Sequence, residues 1–536
     1  MSQYLCYDIR GIQQYIFAVP RLKYIIGGSC LIDTFDRKTT DTIAKQLGVE
    51  RIFAGGGRGT FHCEASRVDA LRSSLIDHVH ELGLDLRIGI DSELSKAIDC
   101  AEALYTCPPD SLDGEPCTAS GLFPVKPGTG QGYREDRRGV HPLVWKRVQE
   151  AKNDRLGVEL LELMRQEKVL PSDLQNDSSN EVMFMRNVSP DPVDDDVDEI
   201  ELADLGMKAL GSRNRWAIVA MDGNDMGNQH RAASTRFDGK PEEFKKWLTL
   251  MSCKLDDCTR RATARAMGWL IKEWYTDDQK RAIQAGKRIV LPIRPLIVGG
   301  DDVVLLCHCS FAMEMVLKLS KEFEAISRQA DADGKLWLGT GGKLTISAGI
   351  LYAGTSLPLA AGIRFAENLL GSAKGAGRRR KPLNQDIPSP AAVDWEQLTE
   401  GAIDTPAERR NRELRFIDGD DENREVKLTR RPWVLEDMES ILTPRMDQLR
   451  KLPKSVCSQV MANLQKPLLQ RCAAIAKLKK GHKELFELLE ETPDGKQRGD
   501  GWSLEGNCQP KTLRTDVVDA LLLLQEEHRM NQETSR

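Results

Sequence analysis

No apolar run in the 536-residue sequence approaches the roughly 20 residues that a membrane-spanning helix needs. The N-terminus lacks the basic, apolar and small-residue succession of a secretion signal, so the expected compartment is the cytoplasm. Charge of one sign is not in excess: 76 Lys and Arg face 81 Asp and Glu, a net charge of −5. That balance gives no global reason to bind nucleic acid, while local basic patches stay open. Paired C-x₂-C knuckles are absent as well. The 13 cysteines are scattered, with Cys100, Cys107 and Cys117 in a Pro/Gly-rich stretch and Cys253 and Cys258 on one apolar segment. Reduced thiols are the expected state, and zinc is disfavoured.

What is present is a chain too long for one core, so several domains are expected. Tyr4 to Asp8 predicts a strand, Ile9 to Phe17 a helix, and Leu22 to Phe35 a second helical run. Arg51 to Glu64 predicts two strands around Gly55, Gly56 and Gly57. Ser66 to Leu82 then reads as an amphipathic helix and Asp85 to Ile90 as a strand. This order fits an antiparallel sheet with helices on one face, an α+β, ferredoxin-like plan. A second unit repeats it from Trp216: strand 216–221, long helices over Pro241 to Ala285, a hairpin at 296–309, a helix to Gln329, a strand over Leu344 to Tyr352, and a helix from Pro358 ending at Lys374. The expected domains are a first unit at 1–95, an irregular and helical region with an acidic, proline-broken linker at 96–212, a second unit at 213–382, and a mainly helical domain at 383–536. The basic run Arg378 to Lys381 follows Lys374.

The chemistry concentrates on Gly299, Gly300, Asp301 and Asp302, between the apolar runs Leu296–Val298 and Val303–Cys307. The hairpin tip reads equally as an exposed turn or as a site for a hard cation, because unpaired acids between core strands are costly to bury. In such a sheet Asp222, at the end of the preceding strand, faces Asp301 and Asp302. Three converging carboxylates repel one another unless cations lie between them. Two Mg²⁺ or Mn²⁺ ions about 3.5–4 Å apart would make a site for phosphoryl transfer. Gly223 and Asn224 open the turn into the next helix, where bare backbone can approach phosphate and the Gly223 carbonyl can join a metal shell. Lys374 reads either as a charge for a triphosphate or as a lysine complementing a helix C-terminus. Asp225 reads as a ligand or as a cap of the turn.

The segments AMDGNDMG, VGGDDVVLL and LTISAGI with AENLLGSAKG resemble the polymerase/cyclase palm of the large subunit of type III CRISPR effector complexes. DIRGIQQYIF, LKYIIGGSCLI and FAGGGRGTF resemble that family's first, degenerate palm, and LTRRPWVLEDMESIL also has the look of the group. The resemblance implies two palms, and an ATP-fed nucleotidyltransferase making cyclic oligoadenylates or related messengers in antiviral defence. It implies Asp222, Asp301 and Asp302 as metal ligands, Gly299 and Gly300 as shapers of the nucleotide-binding hairpin, and Lys374 on phosphates. Partners implied are crRNA or target RNA and other effector subunits, with a homo-oligomer as a further option. No His is followed by Asp, so the histidine–aspartate nuclease domain with which relatives often begin is not expected. Two alternatives stand beside this reading: a cyclase of mono- or dinucleotides, and an RNA-binding scaffold subunit. Nothing local reads adenine against guanine.

Overall fold

The computed structural model describes residues 2–19, 22–103, 142–175, 215–285, 289–329, 342–381, 387–398 and most of 405–446, with short pieces elsewhere. The first unit contains β1 (Ser2–Arg10), α1 (Ile12–Phe17), α2 (Leu22–Thr34), α3 (Thr40–Leu47), β2 (Glu50–Gly55), β3 (Arg58–Glu64), α4 (Val68–His80), β4 (Asp85–Asp91) and α5 (Leu94–Ala103). A π-helical turn, Phe35–Thr39, joins α2 to α3. Its sheet has the order β2-β3-β1-β4, all antiparallel. Helices α6 (Pro142–Asn153) and α7 (Arg155–Gln166) follow, broken at Asp154, whose φ of 42° is left-handed.

The second unit contains β5 (Arg215–Gly223), α8 (Met226–Arg236), α9 (Pro241–Trp274), α10 (Asp277–Gln284), β6 (Ile293–Gly299), β7 (Asp302–Cys307), α11 (Ala312–Ser327), β8 (Ile346–Gly354) and α12 (Leu359–Arg380). Two more strands, β9 (Ala392–Gln397) and β10 (Trp433–Val434), complete a sheet of order β6-β7-β5-β8-β9-β10. Its first four strands reproduce the order of the first sheet, so the mixed α+β architecture with a duplicated plan is borne out.

The duplication extends to packing. In both units the fourth strand carries a glycine where a helix crosses it. A Cβ on Gly89 would lie 2.0 Å from the Ala97 carbonyl oxygen, and one on Gly349 would lie 2.1 Å from that of Ala366. Only hydrogen fits at these crossings, so α5 seats closely on β4 and α12 closely on β8. Because α5 packs on the first sheet, that unit runs on to Ala103, beyond the expected limit at 95.

Helix α9 binds the two units together. Pro241 and the acids Glu242 and Glu243 start it favourably, and Phe244, Leu248, Met251, Leu255, Cys258, Ala262 and Ala266 bury one stripe. It packs on β2 of the first sheet and on β6 of the second, and most of the apolar core of both units is one continuous cluster.

Two expectations change beyond residue 381. The second unit's sheet does not stop at 382: β9 adds to β8 in parallel, buried with Trp395, and β10 pairs with β9. Alternation of apolar residues with buried, paired charges such as Asp394–Arg410 disguises this strand within a segment read as helical. From 447 onward the expected helical domain, like the acidic linker, lies outside the described residues apart from isolated positions.

Asp36 sits in the π-helical turn with both carboxyl oxygens occupied, by the Tyr7 hydroxyl at 2.8 Å and the Gly57 amide at 2.6 Å. Burial nevertheless wins over these donors and pushes its pKa up to about 7. A carboxyl raised in the fold favours the native state while protonated, so that contribution is complete near pH 4 and is lost as pH rises through about 7. Asp36→Asn is therefore expected to flatten the fall in melting temperature between pH 5 and 8, as read by differential scanning fluorimetry. An unchanged slope removes Asp36 as its source.

Candidate active site

Strand β5 is buried from Trp216 through Met221, and Asp222 is its first partly exposed residue toward the far end. Strand register decides what faces it. Asp222 pairs with Asp302 on β7 and with Ser347 on β8. Asp301 stands in the adjoining turn, and its carbonyl accepts the Gly223 amide at 3.2 Å. Gly300, with φ of 59°, supplies the left-handed turn residue, a conformation that a side chain would strain. Asp222, Asp301 and Asp302 are thus brought together by one register pair and one tight turn.

The charges behave as an acid cluster short of counterions. Burial and the neighbouring Asp222 and Asp302 charges push the Asp301 carboxyl well above the usual range, with Lys374 opposing. Asp302 keeps an exposed surface yet is recessed among protein groups. That recess and the Asp222 charge push its pKa up to about 7, against Lys374 and Arg58.

Lys374 corrects one expectation. Helix α12 does not end there but continues to Arg380, so Lys374 is a mid-helix residue and no helix terminus explains it. Its ammonium donates to the Asp222 carboxylate and, at 2.8 Å, to the Gly223 carbonyl. It occupies the place of a cation between two expected metal donors.

Asn224, expected at the phosphate-facing turn, is 2% exposed, and its side chain is consumed by the fold. Its amide nitrogen donates to Thr345 Oγ1 at 3.0 Å and its oxygen accepts from Ser347 Oγ at 2.9 Å. Asp225 holds the N-terminal position of α8 with φ of 58°, but its carboxylate is turned to Ser389 and Lys381. Against burial, these partners hold its carboxyl below the usual range. Asn224 and Asp225 brace the turn that presents Gly223. Gly223 itself has no room for a side chain, since a Cβ would meet Asp301 Cβ at 2.9 Å.

Three contributors were not read from the sequence. Glu367 lies two turns before Lys374 on α12; one of its carboxylate oxygens is buried without a hydrogen-bond partner, and its charge raises the Asp302 pKa. The seven-residue spacing to Lys374 is the signal that places both on one helix face. Arg58 comes from the first sheet. In register, Asp8–Arg58 occupies the place that Asp222–Asp302 holds in the second unit. Arg58 donates to Asp8 at 3.0 Å and still lowers the Asp302 pKa, so the first hairpin brings positive charge toward the second. Asp256 on α9 accepts the Gly300 amide at 3.2 Å. No local pattern announces it.

Could this set hold divalent metal? Among the described residues no three His, Cys, Asp or Glu side chains are gathered as a ready-made metal centre. The donor chemistry nonetheless fits: Asp222, Asp301, Asp302 and the Gly223 carbonyl are all oxygen donors, as Mg²⁺ and Mn²⁺ require. The raised pKa values of Asp301 and Asp302 mark positive charge still wanted at this place. The described cysteines are free, and none takes part in such a cluster.

Residues 215–381 match the family profile described as Cas10/Cmr2, second palm domain. The resemblance to the type III large subunit read from the motifs is thereby borne out on the unit that carries the acids. Among solved structures, Csm1 of T. onnurineus is 14% identical, with 97% of this chain and 69% of that chain covered and a TM-score of 0.47. A Csm1–Csm4 cassette in complex with pppApA gives 14% identity, the same coverages and a TM-score of 0.46. The cassette in complex with AMPPNP gives 14%, again 97% and 69%, and 0.45. No match was found among curated protein sequences. No described helix is long and apolar enough to cross a membrane.

Proposed function

We propose, with the second palm domain as premise, that this chain joins nucleoside triphosphates, ATP first among them, into cyclic oligonucleotides at the Asp222–Asp301–Asp302 site. The observation that carries this is the Asp222–Asp302 register pair with Asp301 in the adjoining turn, an acid cluster held by a lysine that is not at a helix end. In the reaction a 2′- or 3′-hydroxyl of one nucleotide attacks the α-phosphorus of another. A new P–O bond forms, the bond to the bridging oxygen breaks, pyrophosphate leaves and the hydroxyl loses its proton. Two Mg²⁺ or Mn²⁺ ions, when bound, lower the pKa of the attacking hydroxyl and stabilise the leaving pyrophosphate.

The chain's own residues do the rest. Asp222, Asp301, Asp302 and the Gly223 carbonyl would hold the metals. Lys374, bound to Asp222 and the Gly223 carbonyl, would turn its ammonium to the triphosphate. Gly299 and Gly300 leave the hairpin tip bare enough for phosphate to approach. Positioning and charge neutralisation, rather than a dedicated base, supply the rate. Effector subunits and RNA as partners belong to this reading, as does defence against viruses.

The test is incubation with Mg²⁺ or Mn²⁺ and each nucleoside triphosphate, with products identified by mass spectrometry. Product size and base separate an oligonucleotide synthase from a mono- or dinucleotide cyclase. Absence of product with every nucleotide, in the presence and absence of RNA, removes the reading.

Arg58 extends the site across the two units. Its side chain is 63% exposed although tied to Asp8, so part of its charge is available to a second nucleotide. Arg58→Glu is expected to raise the KM for ATP about 10-fold by placing like charge beside the phosphates. Steady-state kinetics check this, and an unchanged KM confines Arg58 to the first unit.

A further inference from the structure

The π-helical turn Phe35–Thr39 touches both hairpins through two adjacent residues. Asp36 takes the amide of Gly57, the tip residue of the first hairpin, at 2.6 Å. Arg37, next in sequence, pairs with Asp256, and Asp256 takes the amide of Gly300, the tip residue of the second hairpin, at 3.2 Å. The link is braced on every side. Arg260, one turn after Asp256 on α9, bonds Asp256 at 3.2 Å and Asp33 at 2.9 Å. Asp33 also pairs with Arg37 at 3.0 Å, closing a ring of two acids and two arginines across the unit boundary. Thr259 donates its hydroxyl to the Gly300 carbonyl, so both polar groups of that glycine are held from α9. The π-turn itself is fastened to the first sheet by Arg51, which donates to the carbonyls of Asp36 and Arg37 at 3.1 and 3.2 Å.

Each piece has an ordinary use alone: a carboxylate on a turn amide, or an ion pair between helices. Their sum is unusual. A single wide turn, a form that recurs at functional sites, specifies the position of two hairpin tips in different units. Gly300 precedes Asp301 and Asp302, so a shift of its amide moves both acids.

We infer that the π-turn is a mechanical link between the two hairpins, and that Asp256 is a positioning residue that sets the Asp301–Asp302 tip according to the state of the first unit. The link rests on the proposed function only in taking that tip as the reaction centre. Anything that displaces the first hairpin, a bound nucleotide or a partner subunit, reaches the acids through Asp36, Arg37 and Asp256.

Two measurements test this. The first is hydrogen–deuterium exchange, which needs no turnover. Asp36→Asn, whose carboxyl touches only the first unit, through Tyr7 and Gly57, is expected to speed exchange in the 296–306 segment as well as in 50–64. Arg37→Ala, at a half-exposed site, is expected to speed 296–306 several-fold while exchange in α12 stays as in the wild type. Exchange in 296–306 unchanged in both variants overturns the link. Acceleration spread equally over the whole chain in both counts against it too, as general loosening.

The second is kinetics. Arg37→Ala and Asp256→Ala are each expected to lower kcat about 10-fold with the KM for ATP within about 2-fold, as misplacement of a reacting centre does. Asp256→Asn, which keeps an acceptor for the Gly300 amide, is expected to lose less than Asp256→Ala. The double variant Arg37→Ala/Asp256→Ala is expected to be no worse than the poorer single one, because the two act as one contact. Additive losses, or a rise in KM alone, reject the positioning role. A wild type that makes no product sinks the proposed reaction, while the exchange experiment still decides the link.

Discussion

Replacing Asp301 and Asp302 together by alanine is expected to abolish product formation, by about 10³-fold or more, and at the same time to raise the melting temperature of the metal-free protein. The two effects have one cause. In the register pair Asp222–Asp302 the carboxylates face each other, Asp301 adds a third, and among the described residues Lys374 is the cation bonded to Asp222. Burial and mutual charge push the Asp301 carboxyl well above its usual range and Asp302 up to about 7, so at neutral pH the native state carries acids that it would rather protonate. Alanine removes that repulsion. It also removes two of the three side chains that would hold divalent metal. Mass spectrometry of products and calorimetry with and without Mg²⁺ check both halves, and Mg²⁺ is expected to stabilise the wild type but not the variant. A variant that is inactive and also less stable points to a structural role for the acids and sinks this account.

Lys374→Ala is expected to show the opposite sign in stability and the same sign in activity. In the metal-free protein its ammonium is bound to Asp222 and to the Gly223 carbonyl. Removing it leaves the acid cluster without its nearest cation, and the metal-free variant is expected to melt earlier than the wild type. Mg²⁺ then has more repulsion to relieve, so its stabilising effect is expected to be larger in the variant. Product formation is expected to fall about 10²-fold, chiefly in kcat/KM for ATP, because a charge that meets the triphosphate is gone. Thermal shift across an Mg²⁺ series, beside steady-state kinetics, reads both. If Lys374→Ala leaves the melting temperature unchanged at every Mg²⁺ concentration, the lysine is not the stand-in for metal described here.

The contrast between the two units supports the same electrostatics. At the position of Asp222 the first unit has Asp8, and opposite it, where Asp302 would be, stands Arg58. A second arginine, Arg87, occupies the register position that Ser347 holds in the other sheet. The first unit thus sets arginines on the strands beside its acid, whereas the second sets a further acid and a serine there and answers Asp222 with Lys374 from α12. One fold carries two opposite answers to the same strand-end carboxylate.

Much of this was legible in the residues. Glycines at two hairpin tips, apolar runs of strand length and helical stripes are local signals, since turn chemistry and side-chain period act over a few residues. They gave the α+β class, the repeat, and the candidate acids. What was misread was also local in cause. Lys374 looks terminal because small residues and glycines follow it, yet α12 continues, with Gly377 packed against the Pro390 carbonyl. Asn224 looked available because it opens a turn, and the turn buries it.

The sequence by itself determined that an acidic hairpin and a strand-end aspartate exist and that their plan occurs twice, since each needs only neighbouring residues. The tertiary structure alone decided which charges meet. Asp222 and Lys374, Asp256 and Gly300, and Asp36 and Gly57 are brought together by strand register and helix crossing. Those depend on packing between segments far apart in the chain. The GGDD tip is therefore written in four consecutive residues, but its position and its charge are set by α9, α12 and one wide turn in the other unit.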